Sequence, residues 1–331
     1  MAVPRPVSWQ KLQFQLRLLP PNSRSVTSTA AVNARAAVHQ SSHTSPSAPV
    51  TREFDSRWLS TIKGRLGKCL AFGLKSHQVN EAGEILQVLA RDWRELTAGS
   101  EGFLTGVERR GLYRHNVVWG EMPPCHVNNV AYVRYAETAR VNWARNIGTH
   151  VDRANRRAWI NLLGSTGVGL ILKSIKIDYK FCNYLHGHSH HNMTANVSGL
   201  AFSKNQNVQP MTAPDKISVY HKLSHPPPAP SSPESSSYSS FQLDVLILSE
   251  AHQRPAARCR EDIVTYDYQL GRKVKTLPPF MMDQFRKTWE LQEESRRTWG
   301  LKVKEIEDRV RGLETSSWDR PDAVEDMGSS G

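Results

Sequence analysis

Apolar residues along this chain change their spacing several times, and each change marks an element. After Ser56, RWLSTIKGRLGKCLAFGL and NEAGEILQVLARDWREL (80–96) place them three and four residues apart, the period of helices with one buried face. Asn80 is the expected cap of the second helix. GLYRHNVVWGEM (111–122) is aromatic and β-branched and predicts a strand, ended by Pro123-Pro124 because proline cannot donate to a sheet ladder. The stretch from Asn128 to about Ile147 predicts a long helix. Val130, Val133, Glu137, Val141 and Ala144 fall on one face of it and Tyr132, Ala136, Ala139 and Trp143 on another, so it is expected to be buried over most of its circumference. GLILKSIKIDYKF (169–181), KISVYHKLS (216–224), FQLDVLILSEA (241–251) and DIVTYDYQLGRKV (262–274) then predict strands. A charged amphipathic helix follows from near Met281.

One strand, one long helix and several antiparallel strands predict an α+β architecture with a sheet wrapped around the helix. Residues 53–110 form a helical N-terminal extension, 111–280 the sheet-and-helix domain, 281–315 the C-terminal helix and 316–331 a disordered tail. HPPPAPSSPESSSYSS (225–240) is a solvated Pro/Ser loop without chemistry of its own. No G-x-G-x-x-G, P-loop or G-x-S-x-G stands in a strand–turn–helix context, which removes the usual support for nucleotide-binding and serine-hydrolase folds.

Net charge changes this picture little. The excess of +12 is half accounted for by Arg5, Lys11, Arg17, Arg24, Arg35 and Arg52, in an N-terminal region without Asp or Glu. A nucleic-acid partner is therefore not expected. Residues 1–52, acid-free and amphipathic around SWQKLQFQLRLL, have the composition of a mitochondrial presequence with its linker, or of a basic tail without an address. The first reading places the protein in the matrix. No apolar run approaches the length of a membrane span. Cys69, Cys125, Cys182 and Cys259 lack metal-finger or disulfide-framework spacing, as suits a reduced compartment.

Residues 119–137, WGEMPPCHVNNVAYVRYAE, concentrate the chemistry. Extended to Arg140, they resemble the signature of hotdog-fold thioesterases of the 4-hydroxybenzoyl-CoA thioesterase type, W-G-D/E-x-D-x-x-G-H-V-N-N-x-x-Y-x-x-Y-x-E-x-A-R. HVNN, Tyr132, Tyr135, Glu137 and Arg140 are in register, and the order of elements agrees over about 55–295. The resemblance implies a curved antiparallel sheet around a central helix, a homodimer or homotetramer, and hydrolysis of acyl-CoA without a further cofactor. It also implies Tyr132, Tyr135 and Arg140 as substrate-binding residues. The signature's catalytic Asp and turn glycine are absent, Pro123-Pro124-Cys125 standing in their place. A catalytically inactive hotdog protein that binds an acyl thioester or acts as a scaffold is thus the alternative; a dehydratase on the same fold usually shows a His/Asp pair in a different helix context. Residues 182–209, which carry HGHSHH, read as an insertion.

Thioester hydrolysis needs a polarised carbonyl, an activated water and a dry slot. The free amides and dipole at the start of a buried helix favour developing negative charge, which assigns the first task to the backbone near His126–Asn129. Asn128 or Asn129 is expected to cap that helix, and capping alone also explains an asparagine. Glu137, expected inside the helix face, is either the base or a structural ion-pair partner of Arg140 or Arg134. Glu121 is the other carboxylate able to replace the missing Asp. His126 either orients substrate or bonds to backbone. Cys125 as a nucleophile would require an activating base. HGHSHH reads as a polar loop ahead of a metal site, so no metal is assigned. Arg134, Arg140 and Lys222 have either coenzyme A phosphates or solvent to meet.

Overall fold

In the computed structural model, described here over residues 54–122, 126–180 and 211–323, Ile217 through His221 are buried at every position. A strand achieves this only with both faces covered. That strand, β3 (Asp215–Leu223), lies in a wholly antiparallel sheet with β1 (Leu112–Val117), β2 (Val168–Tyr179), β4 (Ser240–Ser249) and β5 (Arg254–Asp267), in the order β1-β3-β4-β5-β2. A short β6 (Arg272–Lys273) pairs with β5. The register sets Val219 opposite Ile247 and Tyr220 opposite Leu246, so the two-residue period sends Val219 and Ile247 to one face and Tyr220 and Leu246 to the other.

The first face carries α3 (Asn129–Asn146). Ala131, Tyr132, Tyr135, Ala136 and Ala139 pack there on Ile217, Val219, Val245 and Ile247. The helix is buried on this side only. Val130 is 54% exposed and Glu137 lies on the open side, so the expected burial of the Val130–Glu137 face is corrected. The stripe built on tyrosines and alanines wins because alanine lets the backbone approach the sheet. Gly111, just before β1, permits a close approach: a Cβ there would stand 2.5 Å from that of Ala139.

The second face is covered by α1 (Trp58–Ala71), α2 (Ser76–Ala98) and the C-terminal half of α5 (Pro279–Ser316). Ile85, Leu89, Trp93 and Leu96 of α2 and Val303, Ile306, Val310 and Leu313 of α5 close over Tyr220, Leu246 and Leu248. Apolar positions three and four apart thus meet from both ends of the chain. Polar ties run alongside: Arg65 donates twice to Glu314 at 2.7 Å, and the Trp58 indole donates to Glu307 at 2.7 Å. The N-terminal half of α5 turns to a third cluster, where Met281 and Phe285 pack with Trp143 and Phe241. At 38 residues, α5 spans roughly 57 Å and joins these cores.

Several boundaries differ from expectation. Helix α2 starts at Ser76, leaving Asn80 in its first turns; the Gln78 side chain accepts the Lys75 N–H at 2.9 Å and serves the start instead. Strand β1 ends at Val117, and Trp119–Glu121 form a 3-10 turn. Strand β5 begins at Arg254, because Arg258 and Arg260 alternate with buried Ala257, Cys259 and Glu261 and conceal the apolar pattern. A π-turn at Ile147–Val151 and a short α4 (Arg156–Asn161), tied by the Trp159 indole donating to Asp152 at 2.9 Å, extend the helical region beyond what the spacing predicts. Beyond Ser316, Ser317 is buried and Lys68 stands 3.3 Å over the Trp318 ring, so the chain does not leave the fold there. No helix among the described residues is long and apolar enough to cross a membrane.

Candidate active site at the start of the central helix

Helix α3 starts where two loops are pinned together. The side chain of Asn128, in extended backbone geometry, accepts the Val130 N–H at 3.0 Å, and its carbonyl accepts the Ala131 N–H at 2.9 Å. Asn128 is therefore the cap, and Asn129 the first helical residue. The Asn128 N–H donates to the Glu121 carbonyl at 2.8 Å, and the Val127 N–H to the Met211 carbonyl at 3.0 Å. These two amides of the expected oxyanion site are thus engaged. The Asn129 N–H, at the first helical position, makes no hydrogen bond among the described residues. His126, Asn128 and Asn129 are all exposed.

Glu121 reaches this helix start. Its Oε2 accepts the Val118 N–H at 3.0 Å and the Tyr135 hydroxyl at 2.6 Å. Oε1 has no hydrogen-bond partner among the described residues. Tyr135 is buried, with the Tyr132 ring at 6.2 Å and His115 at 6.0 Å. Tyr132, also buried, meets Tyr179 of β2 edge to face at 5.3 Å, and the Tyr179 hydroxyl lies 3.5 Å from the Asn129 carbonyl. Burial first, then the Glu121 carboxylate, holds the Tyr135 phenol well above its ordinary range. It is a neutral donor.

The other residues singled out by sequence part company. Glu137 is exposed and forms no ion pair with Arg140 or Arg134. About eight residues along α3, it lies roughly 12 Å from the helix start. Arg140 points into the sheet, its Nη1 2.7 Å from Oε1 of the wholly buried Glu261. His221 stands beside them, Nε2 3.8 Å from Glu261 Oε2. Burial pushes Glu261 upward against the pull of Arg140, while burial and Arg140 together push His221 down to about 3, keeping its imidazole neutral. Arg134 is exposed. Lys222 is half-buried on the sheet's other face, donating to the Glu101 carbonyl at 2.7 Å beside the Phe103 ring.

The sequence reading passed over both His221 and Glu261. His221 shares the phase of Ile217 and Val219 in KISVYHKLS, a signal that could have found it, whereas Glu261, inside a run of arginines, gave none. Burial pushes the Cys259 thiol up to about 12, which leaves it inert. Cys125, Cys182 and the HGHSHH run lie outside the described residues. Among the described residues no group of three or more His, Cys, Asp or Glu is placed to hold a metal ion.

The sequence model of the thioesterase-like superfamily matches residues 117–285, just over half of the chain and including all of α3 and β2–β5. The chain belongs to the thioesterase-like superfamily. Its fold is the hotdog fold, an antiparallel sheet around a central helix, with helical extensions at both ends. No curated protein matches the chain. Among solved structures, a thioesterase from Thermus thermophilus, complexed with coenzyme A and Zn, is 17% identical over 56% of this chain and 97% of that one, with a TM-score of 0.33. PA5185 of Pseudomonas aeruginosa PAO1 is 18% identical over 55% and 94%, with a TM-score of 0.32. A DHNA-CoA thioesterase from Staphylococcus aureus is 10% identical over 61% and 90%, with a TM-score of 0.30.

Proposed function

We propose that this superfamily member is an acyl-CoA thioesterase of the 4-hydroxybenzoyl-CoA thioesterase type, with Glu121 as general base. The observation that carries the reading is the pinning of Glu121 to the start of α3, its carbonyl on the Asn128 N–H and its carboxylate on Tyr135, where the next amide, that of Asn129, makes no hydrogen bond among the described residues. Glu121 Oε1 takes a proton from water as the water oxygen bonds to the thioester carbonyl carbon. The oxyanion so formed faces the Asn129 N–H and the positive end of the helix dipole. When the C–S bond breaks, the proton on Glu121 passes to the departing sulfur. The products are a free acid and coenzyme A.

Glu121 takes the place of the absent signature Asp, and Glu137 is set aside because it stands on the open face two turns away. His126 and Arg134, both exposed, are free to meet the coenzyme A portion. The acid-free residues 1–52 support a mitochondrial matrix destination, and the signature supports a homodimer or homotetramer. Purified protein incubated with acyl-CoAs of graded length and with aryl-CoAs, with free thiol followed, is expected to turn over at least one of them. Glu121→Gln is expected to lower kcat about 10²–10⁴-fold. Absence of turnover above buffer for every substrate refutes the reading.

A further inference from the structure

The carboxylate assigned as base sits on a 3-10 turn, an insecure mount for a group that must hold its aim. Three contacts fix it. The Val118 N–H and the Tyr135 hydroxyl both donate to Oε2, at 3.0 and 2.6 Å, and the Asn128 N–H holds the Glu121 carbonyl at 2.8 Å. Two of these come from backbone on the same turn or the cap. Among the described residues, only Tyr135 ties the carboxylate itself to the body of α3. Its ring cannot swing away, being buried and wedged between Tyr132 and His115. With both donors on one oxygen, the lone pairs of Oε1 are left as the basic ones. A neutral phenol donates without competing for the proton that Glu121 is to receive.

From this geometry we infer that Tyr135 is the positioning residue of the reaction, aiming Glu121 Oε1 at the water beside the Asn129 amide. The inference rests on the reading of Glu121 as base. It gives the second tyrosine of Y-x-x-Y a task separate from substrate contact, and predicts that its hydroxyl matters only while residue 121 is a carboxylate.

The test is a double-mutant cycle with Glu121→Gln, Tyr135→Phe and the pair, read in kcat and KM and in thermal unfolding. Tyr135→Phe keeps the buried ring, so the fold is expected to survive. It is expected to lower kcat about tenfold or more with KM unchanged, and to cost nothing further in the Glu121→Gln background, because the positioned base is already gone. Glu121→Asp, too short to meet both the phenol and the turn, is expected to fall with Tyr135→Phe and not to be rescued by it. An active wild type whose kcat is untouched by Tyr135→Phe, or which loses the same factor in the Glu121→Gln background, overturns the positioning role and leaves the thioesterase reading standing. A wild type inert toward all acyl-CoAs overturns both. Coupling in unfolding with inert protein would then show the pair to be a structural tie alone.

Discussion

Arg140 of the central helix donates to Glu261 of β5 across 2.7 Å, with Glu261 wholly shut off from water. An ion pair so placed does not guarantee stability, since desolvating both charges offsets much of their attraction. Removing one partner is another matter. Arg140→Met strands the carboxylate, and urea unfolding is expected to show a loss of about 3–5 kcal/mol. Arg140→Met with Glu261→Leu is expected to regain most of it. A single substitution within about 0.5 kcal/mol of wild type would show that the pair does not hold helix to sheet.

His221, beside that pair, makes stability depend on pH. Its folded pKa, about 3, lies below the ordinary 6.5. A histidine depressed in this way contributes stability that is fully present above pH 6.5 and is lost as the pH falls toward 3, because only the unfolded chain accepts the proton freely. Unfolding free energies measured across that window are expected to fall more steeply for wild type than for His221→Gln, by up to about 1.4 kcal/mol per pH unit. Parallel slopes would mean that the imidazole takes its proton within the fold.

Gly111→Ala tests how closely α3 must approach the sheet. The new methyl would meet the Ala139 Cβ at 2.5 Å and its backbone oxygen at 2.8 Å, atoms that cannot rotate aside. A loss of about 1–3 kcal/mol in thermal or urea unfolding is expected. Gly64→Ala on α1, with nothing within 4 Å, is the comparison and is expected to stabilise by up to about 1 kcal/mol. Equal effects at the two sites would show that the helix can shift freely.

Much of the fold could be read from spacing. The central helix, four of the strands and the helices at both ends follow from alternation or from three-and-four periodicity, and the Asn128-Asn129 pair marks where the cap lies without saying which of the two supplies it. Circumference is what misleads. Valines at 130, 133 and 141 look as apolar as the tyrosine–alanine stripe, and periodicity alone does not say which side meets the sheet. It therefore puts Glu137 inside, where the fold has it outside. The site was legible as a neighbourhood, since HVNN and Glu121 stand close together in the chain. Its connections were not: the Tyr135–Glu121 bond depends on a turn at Trp119–Glu121 that the strand-like sequence conceals, and the Arg140–Glu261 pair depends on a register between elements far apart in sequence.

The layer built from α1, α2 and α5 has a bearing on how this protein can be divided. Tyr220, Leu246 and Leu248 sit inside the segment shared with the superfamily, yet the side chains that shelter them come from beyond both its borders. Trimmed to that segment, the chain would offer water a greasy wall and clump. Cropping α1 and α2 would loosen the end of α5, and the reverse, for these three helices together make a single roof.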